Sequence, residues 1–535
     1  MTSPPRGSNK PLSQKVLREL VSDLAGKIDR LEQEVEQLRL DNGNLHASNQ
    51  ALKDEIARLK NLPPRPPFKP SGMEKATQPR PAGPGQRPGR GAKRDRVTRE
   101  VTVRADVPPG SRFKGYKTVV RRDLVLAAEV VRYKRERWLT PEGQTLIAPL
   151  PVGIAGGYGP GVRRFCLVLH TQGQVTTERI TDLLNGIGLS ISKREVVRLL
   201  TTDLEMFEQE DRAVLEAGLT SSPYITVDDT GARHARRPGV TTQIGGERFC
   251  VFRTSRSKSR LNFLSLLRAG CDDYVVNAPA LDYLRAQSVD ATVIARLAAH
   301  PDQMFSSQME WWQHLLRCSI NIFDRPLLQT LNEAATWGAI RQHGLMTNTV
   351  VVSDDAGQFR VARHALCWIH AERHLQKLMP ASPKQAKAVE LVRETIWCFY
   401  RGLKLWKQSP SPGAEASFRR QFNRIFGQRT GYKDLDELLA RLARRKGDLL
   451  RVLERPEIPL HTNASENDLR AWVTKRKISG GTMSSDGRVA RDVMLGLSKT
   501  CRKLRLSFFD YLGNRLGLHG DQPRIPPLAV LVTQA

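Results

Sequence analysis

Two short apolar runs of this chain end in paired carboxylates, Asp228-Asp229 and Asp354-Asp355. Both runs are rich in β-branched residues and show no helical period, so each is predicted to be a buried strand with acids where the strand ends. Strand ends in open α/β sheets are where chemistry collects, and carboxylate oxygens are ligands for hard divalent metal ions. The plainer interpretation is a pair of turns, because Asp tolerates turn geometry and caps helices.

A third acid, Glu466, stands at the predicted start of a helix. Asn463 and Glu466 form a variant of the capping box, in which Asn is the N-cap and Glu is the third helical residue. Glu466 also precedes Trp472 at helical spacing, which places it on or beside the inward face. An inward carboxylate needs a partner, and a metal ion would supply one. We therefore expect Asp228, Asp354 and Glu466 to converge on divalent metal.

The charge balance predicts a polyanionic partner. The 535 residues include 84 Lys and Arg against 55 Asp and Glu, a formal net charge of +29. This excess favours nucleic acid first and a membrane surface second. The sequence has no apolar run of bilayer length and no secretory signal core, so we expect a cytoplasmic, nucleoid-associated protein without a membrane partner. The 7 cysteines are scattered without a C-x-x-C pair, which argues against a disulfide framework and a zinc finger.

A heptad pattern occupies residues 13–60. Leucine recurs at every seventh position, at Leu17, Leu24, Leu31, Leu38, Leu45, Leu52 and Leu59. The other seam position holds β-branched residues together with Asn42 and Asn49. This combination predicts a parallel two-stranded coiled coil, and hence a homodimer, in which the asparagines penalise other registers. The alternative is a single long helix lying on the body of the protein.

Three further segments precede the candidate acids. Residues 61–98 form a basic linker rich in Pro and Gly, which is either an arm lying along phosphates or a solvated tether. Residues 99–155 alternate weakly and predict a small β-rich module. Residues 156–218 are predicted to be helical, with two helices joined by a glycine turn in a helix-turn-helix-like DNA-binding region. Its candidate DNA contacts are Lys193, Arg194 and Arg198, although paired helices are common in any α domain.

The remaining chain is predicted to be an α/β domain over residues 219–515, with a mainly helical insertion at about 382–457 and a tail over 516–535. Within it, Cys367, His370 and His374 lie along one face of a predicted helix. These residues could hold zinc, but no fourth ligand is evident. Packing, or positioning of the neighbouring strand, is therefore the favoured interpretation.

The ordered set of motifs resembles the insertion sequence 66 family of bacterial DDE transposases. The motifs are Val-Asp-Asp-Thr at 227–230, Val-Ser-Asp at 352–354, Cys-Trp-Ile-His at 367–370, Asn-Ala-Ser-Glu-Asn-Asp-Leu-Arg at 463–470, Lys-Arg-Lys at 475–477 and Phe-Asp-Tyr-Leu at 509–512. The leucine heptads and Lys-Pro-Ser-Gly at 69–72 are also similar. Each motif alone is weak, but their order and spacing agree with the family from about residue 13 to 515.

The resemblance implies an RNase H-like α/β catalytic domain with a mixed sheet, flanking helices and a helical insertion. In this family pattern Asp228, Asp354 and Glu466 are the catalytic acids and would hold two Mg²⁺, or Mn²⁺, ions. The sequence departs from the pattern at Asp229, Asp355 and Asn467, where Glu, Gly and Arg are usual. Members often carry a cysteine-rich module before the catalytic domain, and its C-x-x-C pairs are absent here, so we predict no zinc.

The implied function is a DNA transposase that cuts and joins strands at the ends of an insertion sequence. Its partners would be double-stranded DNA at the element ends and the target, a second copy of the chain, and accessory proteins encoded by the same element. The candidate DNA contacts near the acids are Arg470, Lys475, Arg476 and Lys477. Two rivals remain: a non-catalytic, domesticated DNA-binding protein of transposase descent, and a coiled-coil architectural protein that compacts DNA.

Overall fold

The computed structural model describes residues 97, 99–151, 154, 156–518, 520 and 523–534, together with Gln37 and Asp41. Apart from Gln37 and Asp41, the predicted coiled coil lies outside the described residues, including its leucines from Leu17 to Leu59 and its asparagines Asn42 and Asn49. Nearly all of the basic linker also lies outside them. Of two compact units, the one comprising Ser71–Leu378 and Lys387–Ala535 contains every strand of the described chain.

Short strands and many helices make up a mixed α/β protein. The strands are β1 (Arg137–Leu139), β2 (Thr145–Ile147), β3 (Tyr224–His234), β4 (Arg237–Gly245), β5 (Cys250–Ser255), β6 (Tyr274–Val275), β7 (Met304–Phe305), β8 (Val350–Ser353) and β9 (Arg363–Leu366). The helices are α1 (Pro160–Thr171), α2 (Thr177–Gly186), α3 (Lys193–Thr201), α4 (Glu205–Ser221), α5 (Arg260–Leu267), α6 (Ala278–Ala286), α7 (Ala291–Ala299), α8 (Gln308–Arg317), α9 (Arg325–Gln342), α10 (Trp368–Gln376), α11 (Pro383–Trp406), α12 (Pro412–Phe426), α13 (Lys433–Arg444), α14 (Lys446–Leu449), α15 (Arg451–Glu454), α16 (Asn463–Ser479), α17 (Ser485–Lys503), α18 (Phe508–Arg515) and α19 (Leu528–Thr533).

In the segment 99–151, for which the sequence predicts a small β-rich module, the described chain has one short pair of strands. Only β1 and β2 pair, as an antiparallel ladder of three residues each, and none of the residues 99–151 is buried. Val103, Val125 and Trp138 are 86%, 87% and 65% exposed. A two-stranded ladder has no second layer against which to bury its apolar residues, so these two strands alone form no core.

Helices α1 to α4 precede the large sheet. Ser192 accepts a hydrogen bond from Glu195 N and caps α3, and Thr176 does the same for α2 through Arg179 N. The chain turns between these two helices at Gly188, whose φ of +92° lies in the left-handed region. The α2-turn-α3 arrangement therefore has the helix order predicted for the DNA-binding region.

The large sheet has five strands in the order β5-β4-β3-β8-β9. β3, β4 and β5 form an antiparallel meander, whereas β8 and β9 run parallel to β3. The β3–β4 turn has both Ala235 and Arg236 at positive φ, 48° and 63°, which suits the right-handed twist of a tight hairpin. This mixed sheet with flanking helices is compatible with an RNase H-like domain.

Alternation along the strands divides the apolar side chains between two cores. Ile225, Val227 and Val351 join one core with α1 to α4 and α17. Val350 and Val352 point the other way and pack with Trp368 and the helices α11 to α15. The interval 382–457, for which the sequence predicts a helical insertion, contains α11 to α15. This insertion therefore covers the sheet on the face opposite to α1 to α4.

A third core is formed by residues that lie between β5 and β8 in the sequence. It joins α6 to α9 with the short antiparallel pair β6–β7, and Tyr274, Phe305 and Trp311 pack together within it. No helix of the described chain is both long enough and apolar enough to cross a membrane.

Candidate active site

Asp228 and Asp354 lie side by side at the edge where the parallel strands end. Thr226 of β3 pairs with Val352 of β8 in parallel register, and each acid follows two residues later. Asp228 Oδ1 accepts a hydrogen bond from Asp229 N at 2.8 Å, and Asp354 Oδ1 accepts one from Ala356 N at 3.0 Å. Among the described residues, neither carboxylate forms an ion pair with Lys or Arg.

The second acid of the first pair is held by other side chains. Lys258 Nζ lies 2.8 Å from Asp229 Oδ1, and Gln358 Nε2 donates to Asp229 Oδ2 at 2.7 Å. The Asp229 side chain is 10% exposed. Its charge is therefore neutralised within the protein, which leaves Asp228 as the acid of this pair that is available to a ligand.

Asp355 is held in the same way at the end of β8. Arg360 Nη2 lies 2.7 Å from Asp355 Oδ1, and Arg445 Nε lies 3.4 Å from the same oxygen. Asp354 therefore remains as the available acid of the second pair. These ion pairs separate the acids by their surroundings, independently of any family pattern.

Glu466 reaches the same region from α16, which packs against β3 and β4. Gln243, opposite Asp228 on β4, joins the helix to the sheet: with its amide nitrogen directed at Ser465 Oγ, the distance is 2.8 Å. Arg373 Nη1 donates to Glu466 Oε1 at 2.9 Å, and His370 Nε2 lies 3.8 Å from that oxygen. Two basic groups of α10 therefore contact the third acid.

The pKa of Asp228 reflects a crowded acidic environment. Burial raises it from 3.8 to about 6, and the nearby charges of Asp354 and Asp229 act in the same direction. The Asp229 backbone hydrogen bond and His370 oppose the rise. A carboxylate whose ionised form is this unfavourable gains from a cation placed beside it.

The pKa of His370 is raised among these acids. Burial lowers its pKa, but the hydrogen bond to Cys367 and the charges of Cys367 and Asp354 outweigh burial and raise it to about 9. Burial acts to raise the pKa of Cys367, but hydrogen bonds to its sulfur outweigh burial and leave the pKa lowered. One comes from His370, and the other comes from Thr462 N at 3.4 Å. Cys367 and His370 therefore pair with each other, and His374 does not complete a three-ligand zinc group with them within the described residues.

The three acids fit divalent metal by chemistry but are not drawn tightly together. Groups of three ligand atoms within 4.8 Å of one another occur elsewhere in the described chain, and the carboxylates of Asp228, Asp354 and Glu466 do not form one. Arg373 occupies Glu466 instead. Carboxylate oxygens are the donor set that Mg²⁺ and Mn²⁺ prefer, and the partly buried, mutually repelling Asp228 and Asp354 present it.

The candidate DNA contacts on α16 differ in exposure. Arg470 and Lys477 are exposed and, at 100° per residue, lie within about 40° of Glu466 on the helix. Arg476 donates to the Gly231 carbonyl. Lys475 points to the opposite side, is 1% exposed, and donates to the carbonyls of His170 and Val175.

The phosphate contact predicted for Lys475 stays a prediction, which the burial of its side chain disfavours. Its ammonium group links α16 to the segment 170–175 through these hydrogen bonds. Burial lowers its pKa to about 7. The other predicted DNA contacts, Lys193, Arg194 and Arg198, are all exposed on α3. Lys193 lies 4.0 Å from Glu178, and Arg198 pairs with Glu195 at 2.8 Å.

Several residues of this site were missed by sequence reasoning. They are Lys258, Gln358, Arg360, Arg373, Gln243 and Arg445. Lys258, Gln358 and Arg445 are distant in sequence from the acids they hold, and no spacing pattern links them. Arg373 carried a usable signal, because it follows His370 by three residues on the predicted helix and must share its face.

A mixed sheet with uncompensated acids just beyond the parallel pairing of β3 with β8 defines an α/β protein with a candidate metal-dependent site. Residues 339–490, which include Asp354 and Glu466, match the family described as Transposase IS66 family. The uncharacterized protein y4jO of Sinorhizobium fredii (strain NBRC 101917 / NGR234) is 63% identical over 319 residues, which are 60% of this chain and 99% of that protein. The chain belongs to the IS66 transposase family.

Proposed function

We propose that this chain is a DNA transposase that binds the ends of an insertion sequence and catalyses strand cleavage and strand transfer. The proposal includes an RNase H-like catalytic domain, for which the order and directions of the five strands are the support. The observation that carries the function is the separation of the acid pairs. Asp228 and Asp354 are left without Lys or Arg partners in the described chain, while their neighbours are neutralised.

In this proposal Asp228, Asp354 and Glu466 hold the divalent metal. Bound there, two such cations would activate the attacking oxygen and stabilise the leaving oxygen of a phosphodiester. His370 lies beside Glu466, and its raised pKa favours the protonated ring near the acids. Arg373 orients Glu466 through the contact at 2.9 Å. These two α10 residues are positioning residues for the third acid.

DNA would lie along the exposed basic residues. Arg470 and Lys477 share the Glu466 side of α16 and would contact the phosphate backbone close to the acids. Arg476 would contribute if it exchanges the Gly231 carbonyl for a phosphate. Lys193, Arg194 and Arg198 on α3 would bind the element ends, as the second helix of a helix-turn-helix does.

A homodimer formed through the coiled coil would hold two element ends together, and accessory proteins of the same element would complete the assembly. The protein would act on DNA in the bacterial cytoplasm, at the nucleoid. The net charge of +29 supports a nucleic-acid partner.

A specific observation favours the second candidate, a non-catalytic DNA-binding or architectural protein. Arg373 forms an ion pair with Glu466, and the three acids do not lie within 4.8 Å of one another. In that function the acids would be remnants of a catalytic ancestor, and DNA binding would need no metal.

The proposal is tested by an assay of DNA cleavage and joining. The substrate is a supercoiled plasmid that carries the DNA flanking the gene. Wild type and Glu466→Gln are compared in Mg²⁺, with a gel shift on both and Arg470→Gln as a binding control. We expect both proteins to bind DNA and only the wild type to cut. Equal cutting by Glu466→Gln would refute the assignment of Glu466. Equal binding without cutting, even after products of neighbouring genes are added, would favour the second candidate.

A further inference from the structure

Three potential metal ligands meet in the third core, away from the acids. His300, His314 and Cys318 each present a ligand atom, and these atoms all lie within 4.8 Å of one another. His314 is fully buried and Cys318 is 9% exposed, whereas the His300 side chain is 25% exposed. The group is therefore built into the protein at a depth that solvent can still reach from one side.

Two helices position the three side chains. His300 is the C-cap of α7. His314 lies in the last turn of α8, and Cys318 is the C-cap residue that follows this helix. Residues separated by four positions lie on the same helical face, so His314 and Cys318 present their ligand atoms together. The His300 and His314 rings meet edge to face, with centroids 4.4 Å apart.

The separation of the His314 and Cys318 ligand atoms suits one shared metal ion. His314 Nε2 lies 3.5 Å from Cys318 Sγ. Zinc bonds nitrogen at about 2.0 Å and sulfur at about 2.3 Å in tetrahedral geometry, which places the two donors roughly 3.5 Å apart. A thiol–imidazole hydrogen bond without metal would also give such a distance, so the third ligand atom, from His300, is the observation that indicates a metal site.

The other ring nitrogen of His314, Nδ1, is buried and has no hydrogen-bond partner in the described chain. A metal ion on Nε2 would leave Nδ1 as an N–H that still needs an acceptor, such as a water molecule. This nitrogen therefore does not decide between a metal ion and a thiol–imidazole hydrogen bond. Metal would bind the neutral form of both imidazoles.

We infer that His300, His314 and Cys318 form a binding site for a divalent transition metal, with Zn²⁺ as the ion that fits best. Two imidazoles and a thiolate are donors that select zinc over Mg²⁺. Asp302 is the nearest candidate for the fourth position, since its Oδ2 lies 3.9 Å from His300 Nδ1. Water would fill that position otherwise.

Binding requires modest rearrangement at His300. Asp302 N donates to His300 Nδ1 at 3.1 Å, so a metal that uses this nitrogen displaces the hydrogen bond. Asp302 is exposed, and water can take over its N–H. Cys318 loses its proton on binding, as zinc-bound thiols do.

The bound ion would join the end of α7 to the end of α8 across β7. These elements enclose Tyr274, Phe305 and Trp311, and a metal crosslink would stabilise this small core in the way that structural zinc stabilises small domains. This inference differs from the expectation from the sequence that the protein holds no zinc, and the zinc measurement below decides between them. The site is independent of the proposed catalysis, because it contains none of the three acids.

Zinc content of the purified full-length chain tests the inference, measured by mass spectrometry after dialysis against metal-free buffer. We expect about one equivalent per chain, and an absorption band from a sulfur-to-cobalt transition when Co²⁺ replaces zinc. Cys318→Ser and His300→Asn should each reduce the bound zinc to background and abolish the band. His300 is partly exposed, so its replacement tests the site with little disturbance of the core. The midpoint temperature of thermal unfolding of the wild type should fall when zinc is chelated.

Two matched controls make the result decisive. Cys398→Ser removes an exposed thiol outside the site and should leave zinc content unchanged. Cys271→Ser disrupts the other three-ligand group, Cys271, Asp273 and His343, and should also retain zinc. No zinc or cobalt binding by the wild type would overturn the inference, and so would loss of zinc in Cys271→Ser with retention in Cys318→Ser.

Discussion

The aspartates of β3 lie within a continuing strand, whereas those of β8 lie in a loop that begins as the strand ends. β3 runs on to His234, so Asp228 and Asp229 alternate across the sheet. β8 ends at Ser353, and Asp354 and Asp355 are placed by the turn that follows. Despite these different backbones, the first acid of each pair lacks a Lys or Arg partner in the described chain and the second is neutralised.

The comparison teaches that the surroundings, rather than the strand end itself, decide which acid is available. On β3 the holding groups are Lys258 and Gln358. On β8 they are Arg360 and Arg445. Neutralising one member of each pair lets two acids stand in sequence without four charges repelling one another.

Activity should separate the members of each pair most strongly. Asp228→Asn and Asp354→Asn should each reduce strand cleavage by at least about 10³-fold, because a lost metal ligand removes several kcal/mol of transition-state stabilisation. Asp229→Asn and Asp355→Asn should stay within about tenfold of wild type. Plasmid cleavage rates at saturating Mg²⁺ measure the contrast. An Asp229→Asn protein as inactive as Asp228→Asn would break it.

Replacement of Asp228 on β3 should raise the free energy of unfolding at neutral pH. Burial raises the Asp228 pKa from 3.8 to about 6, so the folded state binds this proton more tightly than the unfolded state. The resulting stability is present below pH 4 and is lost as pH rises through about 6. Above pH 7 in EDTA, Asp228→Asn should therefore be more stable than wild type by about 1–3 kcal/mol, and the gain should vanish near pH 4. Urea unfolding at both pH values measures it, and a destabilised Asp228→Asn would contradict the assignment.

On β8 a smaller difference is expected between Asp355→Asn and Asp354→Asn. Asp355 loses its ion pairs with Arg360 and Arg445 when it is replaced, and these groups are partly buried. The free energy of unfolding should fall by about 1 kcal/mol for Asp355→Asn. The free energy of unfolding of Asp354→Asn should not fall. High salt should narrow this gap, since ion pairs are screened. An equal loss in both variants would mean that the loop, and not the ion pairs, sets the stability.

The smallest effect concerns DNA affinity and extends the contrast between neighbours to α16. Lys477→Gln should weaken binding a few-fold and reduce the slope of affinity against salt by about one ion. Lys475→Gln should leave the affinity of the folded protein unchanged, because its ammonium group is buried. Fluorescence anisotropy over a salt series gives both quantities. A reduced salt slope for Lys475→Gln would show that this lysine reaches DNA after all.

Much of the arrangement could be predicted where the signal is local. The β-branched runs mark β3 and β8. The capping box predicted at Asn463 and Glu466 is wrong, because the N-cap of α16 is Thr462 and no side chain caps the helix. Family membership followed from the order of the motifs and is confirmed. Lys475 could also have been placed, because it follows Trp472 by three residues and belongs to the buried side of the helix.

The remainder depends on contacts between distant parts of the chain. Nothing near Asp229 in sequence announces Lys258, and nothing near Asp355 announces Arg445. The group of His300, His314 and Cys318 escaped because it lacks a C-x-x-C pair and one of its ligands comes from another helix. The module predicted at 99–155 stays a prediction, because the pair β1 and β2 has no second layer that buries its residues in the described chain.

The late position of α16 in the chain has a consequence for biosynthesis. It supplies the third acid, yet it is made after the strands that it completes. Chains begin to fold from the N-terminus during synthesis, so β3 to β5 can form while the site still lacks Glu466. A chain whose translation stops within α11 to α15 would keep the candidate DNA-binding helix α3 and have no third acid. Such a fragment would also lack α17, which shares a core with α1 to α4, so neither the site nor the candidate DNA-binding region would be complete.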